Sequence, residues 1–193
     1  YYTDALINFL ALLGWNDGTD KEFFTVDELI GSFSLERVHK AGSKFDIRKA
    51  KWFNQHYLRA KPDAELAAGV GAALAKQNTA CTTEQAEKIV RLMKERVTFP
   101  QEIHEQTMFL FAAPKTYDQT AVQAKWNAEA AGLLADFKDE LAALTNFDAE
   151  TAKHTLHVVL EKAGVKIGKV MPALRLALTG AANGPDLMQI MDI

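Results

Sequence analysis

The chain has 193 residues, of which 48% are hydrophobic and 24% are charged, and its formal net charge at pH 7 is −3. This length suffices for one large domain or two small ones, each with its own core. The single cysteine, Cys81, excludes an internal disulfide and a cysteine-rich zinc site, no apolar run reaches the length of a membrane span, and the net charge argues against a general nucleic-acid binder.

The chain opens inside an amphipathic pattern, YYTDALINFLALLGW, without an initiator methionine or a signal peptide. We therefore expect a fragment of a longer protein whose N-terminal part precedes Tyr1. Thr3 can cap a first helix that extends to Leu13 and ends at Gly14. Its apolar stripe is predicted to hold Leu6, Phe9, Leu10 and Leu13.

Cap signals predict the next helices. Thr25, with Glu28 three residues later, forms a capping box for VDELIGSF. Asp46 caps a helix that reaches about Arg59, and its residues near helical spacing are Ile47, Ala50, Phe53, Tyr57 and Leu58.

Two prolines punctuate the middle of the chain. Pro62 restarts it at the first turn of an alanine-rich helix, and Pro100 begins a helix that Pro114 ends. Between them, Thr82 or Thr83 caps a helix whose predicted inward residues are Ala86, Ile89, Val90, Met93 and Val97.

In the last part, Asp118 or Thr120 opens a stretch that forms either two helices or one helix bent near Asn127. Asp148 caps a helix that stops at Gly164. The closing segment is predicted as a helix with Pro172 in its first turn, the loop GAANGP, and a last helix from about Pro185.

Helical pieces of about 8–18 residues with short links are typical of a compact all-α domain. No strand is predicted. Candidate boundaries near Ala60–Pro62 and Pro114–Asp118 divide the chain into residues 1–61, 62–117 and 118–193.

Basic residues concentrate between Arg37 and Lys61, where eight Lys or Arg stand against one acid, Asp46. A surplus of this size can attract phosphate on a mildly acidic protein. The alternative is a solvated helix face.

Catalytic motifs are absent from the sequence: no glycine-rich loop of the Walker or dinucleotide type occurs. His154 and His157 share a helix face and could bind a metal, but two ordinary helical histidines are the expected alternative. Cys81 precedes a helix cap that could favour its thiolate, although an unreactive cysteine is preferred.

Two stretches carry a family resemblance. Ala5–Arg59 contains NFLALLGW, SLERV, a later FD, then WFN and YLR, and it resembles the segment that follows the catalytic domain in bacterial glutamyl-tRNA synthetases. The stretch GVKIGKVMPALRLALTGAANGPDL is similar to the C-terminal signature of that family, except that Met-Pro-Ala-Leu-Arg stands where the family often has Gln-Pro-Leu-Arg.

The resemblance implies an all-α region of the class I aminoacyl-tRNA synthetase type. Residues 1–61 would be a stem-contact region after the absent catalytic domain, and residues 62–117 and 118–193 two anticodon-binding subdomains. The full enzyme attaches glutamate to its tRNA with ATP and Mg²⁺, whereas the fragment would hold no cofactor and no catalytic residue. The resemblance also implies a glutamate-accepting tRNA partner, no membrane, a cytoplasmic location and a monomer.

Between Gly168 and Gly180 the only charged residues are Lys169 and Arg175, and a loop of small residues follows. Small residues let a backbone approach RNA closely, and an arginine can bind a base edge or phosphate through two bonds. With the resemblance, this predicts an anticodon site at Arg175, Ala182, Gly184, Pro185, Leu187 and Met188. The alternative for Arg175 is an ion pair to a neighbouring helix.

Other candidates lie earlier in the chain. Arg96 is the candidate reader of the last anticodon base, with plain surface charge as its alternative. Lys44, Arg48 and Lys51 are the candidates for phosphate contacts. The competing hypothesis for the whole chain is an all-α protein–protein interaction scaffold with no RNA role.

Overall fold

The computed structural model describes residues 1–40 and 42–193, and 64% of the chain is helical. Within those ranges no strand is present, and the sole extended pairing is an isolated bridge between Trp15 and Val38. The all-α fold class is therefore confirmed. The backbone packs as two compact units, Tyr1–Ile103 and His104–Ile193. The division into 1–61, 62–117 and 118–193 stays a prediction.

Among its described residues, the first unit contains five helices and the start of a sixth. Their bounds are α1 Thr3–Leu12, α2 Val26–Ser32, α3 Ile47–Ala60, α4 Asp63–Lys76, α5 Thr83–Met93 and α6 Pro100–Glu105. A single 3₁₀ turn at Leu35–Arg37 follows α2. Within the unit α1 packs on α3, and α4 packs on α5.

The core between α1 and α3 contains Ala5, Phe9, Ala50 and Phe53. The predicted stripe of α1 was wrong at one position, because Leu10 is 54% exposed whereas Asn8 is fully buried. The buried Oδ1 of Asn8 accepts a hydrogen bond from the Phe24 backbone N–H at 3.0 Å and lies 2.9 Å from the Tyr57 hydroxyl, whose shorter bond, at 2.6 Å, is to the Phe24 carbonyl.

The predicted capping box at Thr25 is present, and Thr82, one of the two predicted caps of the later helix, forms a second box. Thr25 accepts from the backbone N–H of Glu28, and the Glu28 carboxylate accepts from the backbone N–H of Thr25. Thr82 forms the same reciprocal pair with Gln85. The five residues predicted to face inward from this helix are all buried: Ala86, Ile89, Val90, Met93 and Val97.

The second unit contains five more helices. Their bounds are α7 Gln119–Lys125, α8 Ala128–Ala142, α9 Ala149–Ala163, α10 Ile167–Thr179 and α11 Leu187–Met191. A 3₁₀ turn at Met108–Leu110 precedes them, so the helix from Pro100 is shorter than predicted. Helix α10 packs on α7 and α8, while α9 packs on α8 and α11.

Caps define the helix ends of the second unit. The Asn127 side chain accepts from the backbone N–H of Ala130, which makes two helices of the stretch that could have been one. Gly164 ends α9 with a φ of 66°. The placement of Pro172 in a first turn was wrong, because α10 begins five residues earlier at Ile167, and the last helix begins at Leu187 after its cap Asp186.

None of the helices in the described ranges combines the length and apolar character that crossing a membrane requires.

Candidate nucleic-acid interface

The loop after α10 is held at both ends. Gly180 ends the helix with a φ of 72°, and its carbonyl accepts from the backbone N–H of Asp118 at 2.8 Å. At the far end, the Asp186 carboxylate accepts from the backbone N–H groups of Met188 and Gln189. These bonds leave a short exposed stretch, Ala181–Asn183, between two fixed points.

Arg175 supports this loop from inside. Its side chain is half-buried, and its Nη1 donates to the carbonyl oxygen of Pro185 at 2.7 Å. A β-carbon added to Gly184 would lie 3.0 Å from that same Nη1, which is tighter than ordinary packing. The guanidinium is therefore held beside the loop, with Gly184 in close contact with it.

The remaining predicted loop residues divide by exposure. Ala182 is exposed and Gly184 is half-buried, so the backbone there is open to a ligand. Pro185 is buried, and Leu187 and Met188 are only 1% and 8% exposed. The side chains of Leu187 and Met188 therefore support the loop from the core and offer little surface for contact.

Intramolecular partners occupy much of the basic run in the first unit. Lys49 pairs with Glu22 at 2.7 Å, Arg59 with Glu95 at 2.8 Å, and Lys61 with Glu65 at 3.1 Å. The Arg37 guanidinium donates to the carbonyl of Asp17. These four side chains are engaged with the protein, which leaves a smaller set for an outside anion.

That smaller set includes the three predicted phosphate contacts. Lys44 and Lys51 are exposed and form no ion pair with any residue that the structure describes. Arg48 reaches Asp46 only at 3.5 Å, and its side chain is 90% exposed. Asp46 itself caps α3 by accepting from the backbone N–H of Arg48 at 2.8 Å, so this carboxylate already has a structural role.

Arg96 lies just after α5 in the first unit and is exposed. Its backbone N–H donates to the carbonyl of Met93 at 2.8 Å, which fixes the position of its Cα. No acidic side chain within the described part of the chain pairs with its guanidinium. Arg96 and Arg175 thus belong to different units.

Comparison with known proteins decides the family. The family model described as "Anticodon binding domain" matches residues 56–193. The chain belongs to this family.

The whole chain, which includes this domain, is also similar to parts of larger enzymes. Over the whole chain it is 50% identical to a glutamate–tRNA ligase of Cytophaga hutchinsonii and 49% identical to one of Amoebophilus asiaticus. A crystal structure of a glutamate tRNA ligase from Elizabethkingia meningosepticum superposes with a TM-score of 0.93 at 40% identity over the whole chain. The chain spans 38% of the length of each of these relatives and corresponds to their C-terminal part.

His154 and His157 were the candidate metal ligands of the sequence. His154 and His157 are exposed on α9. Among the residues that the structure describes, no three His, Cys, Asp or Glu side chains converge as metal ligands would. A metal site at His154 and His157 therefore has too few donors.

Burial raises the pKa of the Cys81 thiol. Its Sγ donates to the carbonyl of Thr82 at 3.4 Å. Both features favour the protonated thiol, which is a weak nucleophile. The preferred interpretation of an unreactive cysteine is the one that this environment supports.

A cavity of about 360 Å³ lies between α7 and α10 of the anticodon binding domain. Tyr117 and Trp126 line it, and each is 42% exposed. The sequence analysis named neither residue as a candidate. The sequence does place Trp126 directly before Asn127, the cap of α8. A large aromatic residue in such a short link between two helices could have been singled out as a candidate for exposure.

Proposed function

We propose that this chain is the tRNA-recognition part of a glutamate–tRNA ligase and that it reads the anticodon. The observation that carries the proposal is the family match over residues 56–193, on a chain that aligns along its whole length with ligases of that name. An anticodon binding domain needs an RNA whose bases are unpaired, since side chains cannot enter the deep major groove of an RNA helix.

The loop after α10 fits that task physically. Ala182 and Asn183 are exposed and small enough for RNA to approach their backbone. Arg175, held on the Pro185 carbonyl, presents a planar guanidinium whose orientation is fixed before RNA arrives. Preorganisation lowers the entropy lost on binding, which favours selection of one base over another.

The first unit would supply attachment. Lys44, Arg48 and Lys51 are exposed cations whose intramolecular pairing is weak or missing within the described residues, and cations of this kind bind RNA phosphates without reading sequence. Arg96 is the proposed reader of the last anticodon base. Its exposed guanidinium could form two bonds to a base edge.

The chemical step belongs to the rest of the protein. Activation of glutamate requires ATP and Mg²⁺, and this chain spans only 38% of the length of the ligases it is similar to. We therefore assign both to the remaining length of the relatives' chains. This chain would contribute to catalysis by positioning the tRNA, because docking the anticodon arm fixes the distance from the tRNA 3′ end to the reactive centre. The proposal includes a cytoplasmic location and a monomeric state.

A titration of the 193-residue chain tests the proposal. Binding of glutamate tRNA is compared with binding of a copy in which the anticodon is changed, at moderate and at high salt. We expect the natural tRNA to bind more tightly, and both affinities to fall steeply with salt. Arg175→Lys keeps the charge but loses the two-bond geometry, so it should reduce the discrimination more than the affinity. Equal, salt-insensitive affinities would overturn the proposal and favour a protein-interaction scaffold.

A further inference from the structure

The cavity between α7 and α10 has the character of a binding site. We call it the α7–α10 slot, and its wall consists of Tyr117, Gln119, Val122, Trp126, Leu176 and Ala177. Its volume of about 360 Å³ lies within the range of small-ligand pockets. The described second unit has three large hydrophobic side chains that are strongly exposed. Tyr117 and Trp126 line the slot, and Phe147 lies outside it.

A polar group lies among these apolar walls. Gln119 Nε2 donates to the carbonyl of Tyr117 at 3.2 Å, which fixes the amide and directs its Oε1 as an acceptor. Leu176, which is 1% exposed, contributes an apolar floor. Two aromatic rings, an apolar floor and one oriented amide form the combination that proteins use to bind a flat heterocycle with hydrogen-bonding edges.

A second groove lies between the end of α7, the start of α8 and the start of α10, and its lining includes Lys125 and Asn127, the two chain neighbours of Trp126. Its residues include Lys125, Lys169 and Pro172, with one acid, Glu129. Lys125 and Lys169 are exposed and form no ion pair within the part of the chain that the structure describes. The groove therefore carries a net positive charge beside the aromatic slot, which suits a ligand with an anionic backbone.

One face of α10 joins the groove to the slot. Lys169, Pro172, Leu176 and Gly180 follow one another at spacings of three or four residues and so lie on the same side of the helix. Lys169 and Leu176 are separated by about 10 Å along the axis. At the end of this face, the Gly180 carbonyl accepts from Asp118, next to Tyr117, so the slot is continuous with the start of the loop after Arg175.

We propose that the α7–α10 slot binds one unpaired nucleobase of an RNA strand, stacked on Trp126, while Lys125 and Lys169 contact the phosphates beside it. This inference rests on the proposed function, because it adds a base site next to the loop that holds the anticodon. Charge decides between a base and an apolar side chain of a protein partner: an apolar side chain would satisfy the rings but leave the two lysines unused.

Fluorescent RNA tests the slot directly. The anticodon stem-loop of glutamate tRNA is made with 2-aminopurine at one loop position at a time, and its fluorescence is followed on addition of the 193-residue chain. Stacking quenches this base, so we expect one position to be quenched strongly. Trp126→Leu should abolish that quenching and weaken binding by about fivefold to a hundredfold, the range that stacking on one aromatic residue gives. Phe147→Leu, the matched change at an exposed ring outside the slot, should alter neither.

A second variant guards against misfolding. Ala177→Phe places a ring in the slot and leaves Trp126 and Tyr117 in position, so it should block the base in a protein whose thermal unfolding is unchanged. Unchanged quenching in both Trp126→Leu and Ala177→Phe would overturn the slot. Quenching that survives while the natural and altered anticodons bind equally would overturn the anticodon function and leave the slot standing.

The lysines are tested by salt. Each phosphate contact on a single strand contributes about 0.7 to the slope of log K against log salt. Lys125→Met and Lys169→Met should each reduce the slope by about that amount, and Lys153→Met, an exposed lysine on α9 outside the groove, should leave it unchanged. Identical slopes for all three variants would show that the groove does not bind the strand.

Discussion

A β-carbon on Gly180 would lie 2.4 Å from the carbonyl oxygen of Thr116. The backbone of the segment before α7 thus runs directly against the end of α10, and the φ of 72° at Gly180 adds a second demand for glycine. This contact fixes where the loop after α10 begins.

Gly180→Ala should therefore be strongly destabilising. We expect a loss of about 2–4 kcal/mol in the free energy of unfolding, from the left-handed backbone together with the displaced Thr116 carbonyl. Gly164→Ala is the matched control, because Gly164 has a similar φ of 66° but open space around its Cα. It should lose only about 1–2 kcal/mol. Urea denaturation measures both, and equal losses would contradict the role of the close approach.

Asn54 should be a second position with a large effect. It is fully buried, its Oδ1 accepts from the Tyr2 backbone N–H at 2.7 Å, and its Nδ2 donates to the Thr98 carbonyl at 2.6 Å. Asn54→Ala leaves both partners without a bond and should cost about 2–4 kcal/mol. Asn146→Ala, at an exposed turn, should stay within about 0.5 kcal/mol of the wild type. A small effect at Asn54 would mean that water replaces the amide.

The basic run can be divided by experiment into engaged and available cations. Lys44→Ala and Lys51→Ala should each reduce the salt slope of tRNA binding by up to about 0.9, one phosphate contact each. Lys49 lies on the same helix as Lys51 but is paired with Glu22. Lys49→Ala should therefore change the salt slope less. Binding isotherms at four salt concentrations give the three slopes. A larger change for Lys49 would reverse the assignment.

Arg96 should affect one base specifically. Arg96→Ala is expected to weaken binding of the natural glutamate tRNA by about fivefold to a hundredfold, the worth of a two-bond contact to a base. The same variant should bind a tRNA with a changed last anticodon base as the wild type does. Arg91→Ala removes an arginine that pairs with Glu87 at 3.2 Å and should alter neither affinity. Uniform weakening of both tRNAs by Arg96→Ala would indicate a phosphate contact.

His56 should make the stability of the first unit depend on pH. Burial lowers the pKa of His56, and the positive charge of Arg59 lowers it further. The unfolded chain then binds a proton more readily than the folded chain, so stability falls as pH drops below the ordinary histidine value of 6.5 and through the lowered pKa.

His56→Phe removes this titration while keeping a ring stacked on Phe23, whose centroid lies 3.4 Å away with the planes tilted by 10°. The wild type should lose stability relative to this variant as the pH falls from about 7.5 to 5, by the linkage between protonation and folding. Thermal unfolding at four pH values measures the difference. Parallel profiles would show that His56 does not contribute.

Local signals predicted most helix boundaries. The boxes at Thr25 and Thr82 and the caps at Asp46 and Asp148 each depend on residues no more than three positions away. A pattern confined to one turn can be read from the sequence alone. The family resemblance likewise depended on short stretches whose residues stand in a fixed order.

Long-range partners account for what the sequence could not predict. The buried Asn8 contacts the backbone of Phe24 and the hydroxyl of Tyr57, 49 residues away, and no pattern within α1 distinguishes it from a surface asparagine. The α7–α10 slot combines Trp126 with Leu176 from a helix 50 positions later. Its existence depends on how two helices pack, which the periodicity of either helix does not reveal.

The position of the boundary at Ile103/His104 has an evolutionary consequence. The proposed reader of the last anticodon letter, Arg96, and the proposed reader of the others, Arg175, lie in different compact units. Selection can then alter the tolerance for one letter without disturbing the recognition of its neighbours. A lineage that widens or narrows its set of accepted transfer RNAs would need to change only one of the two units.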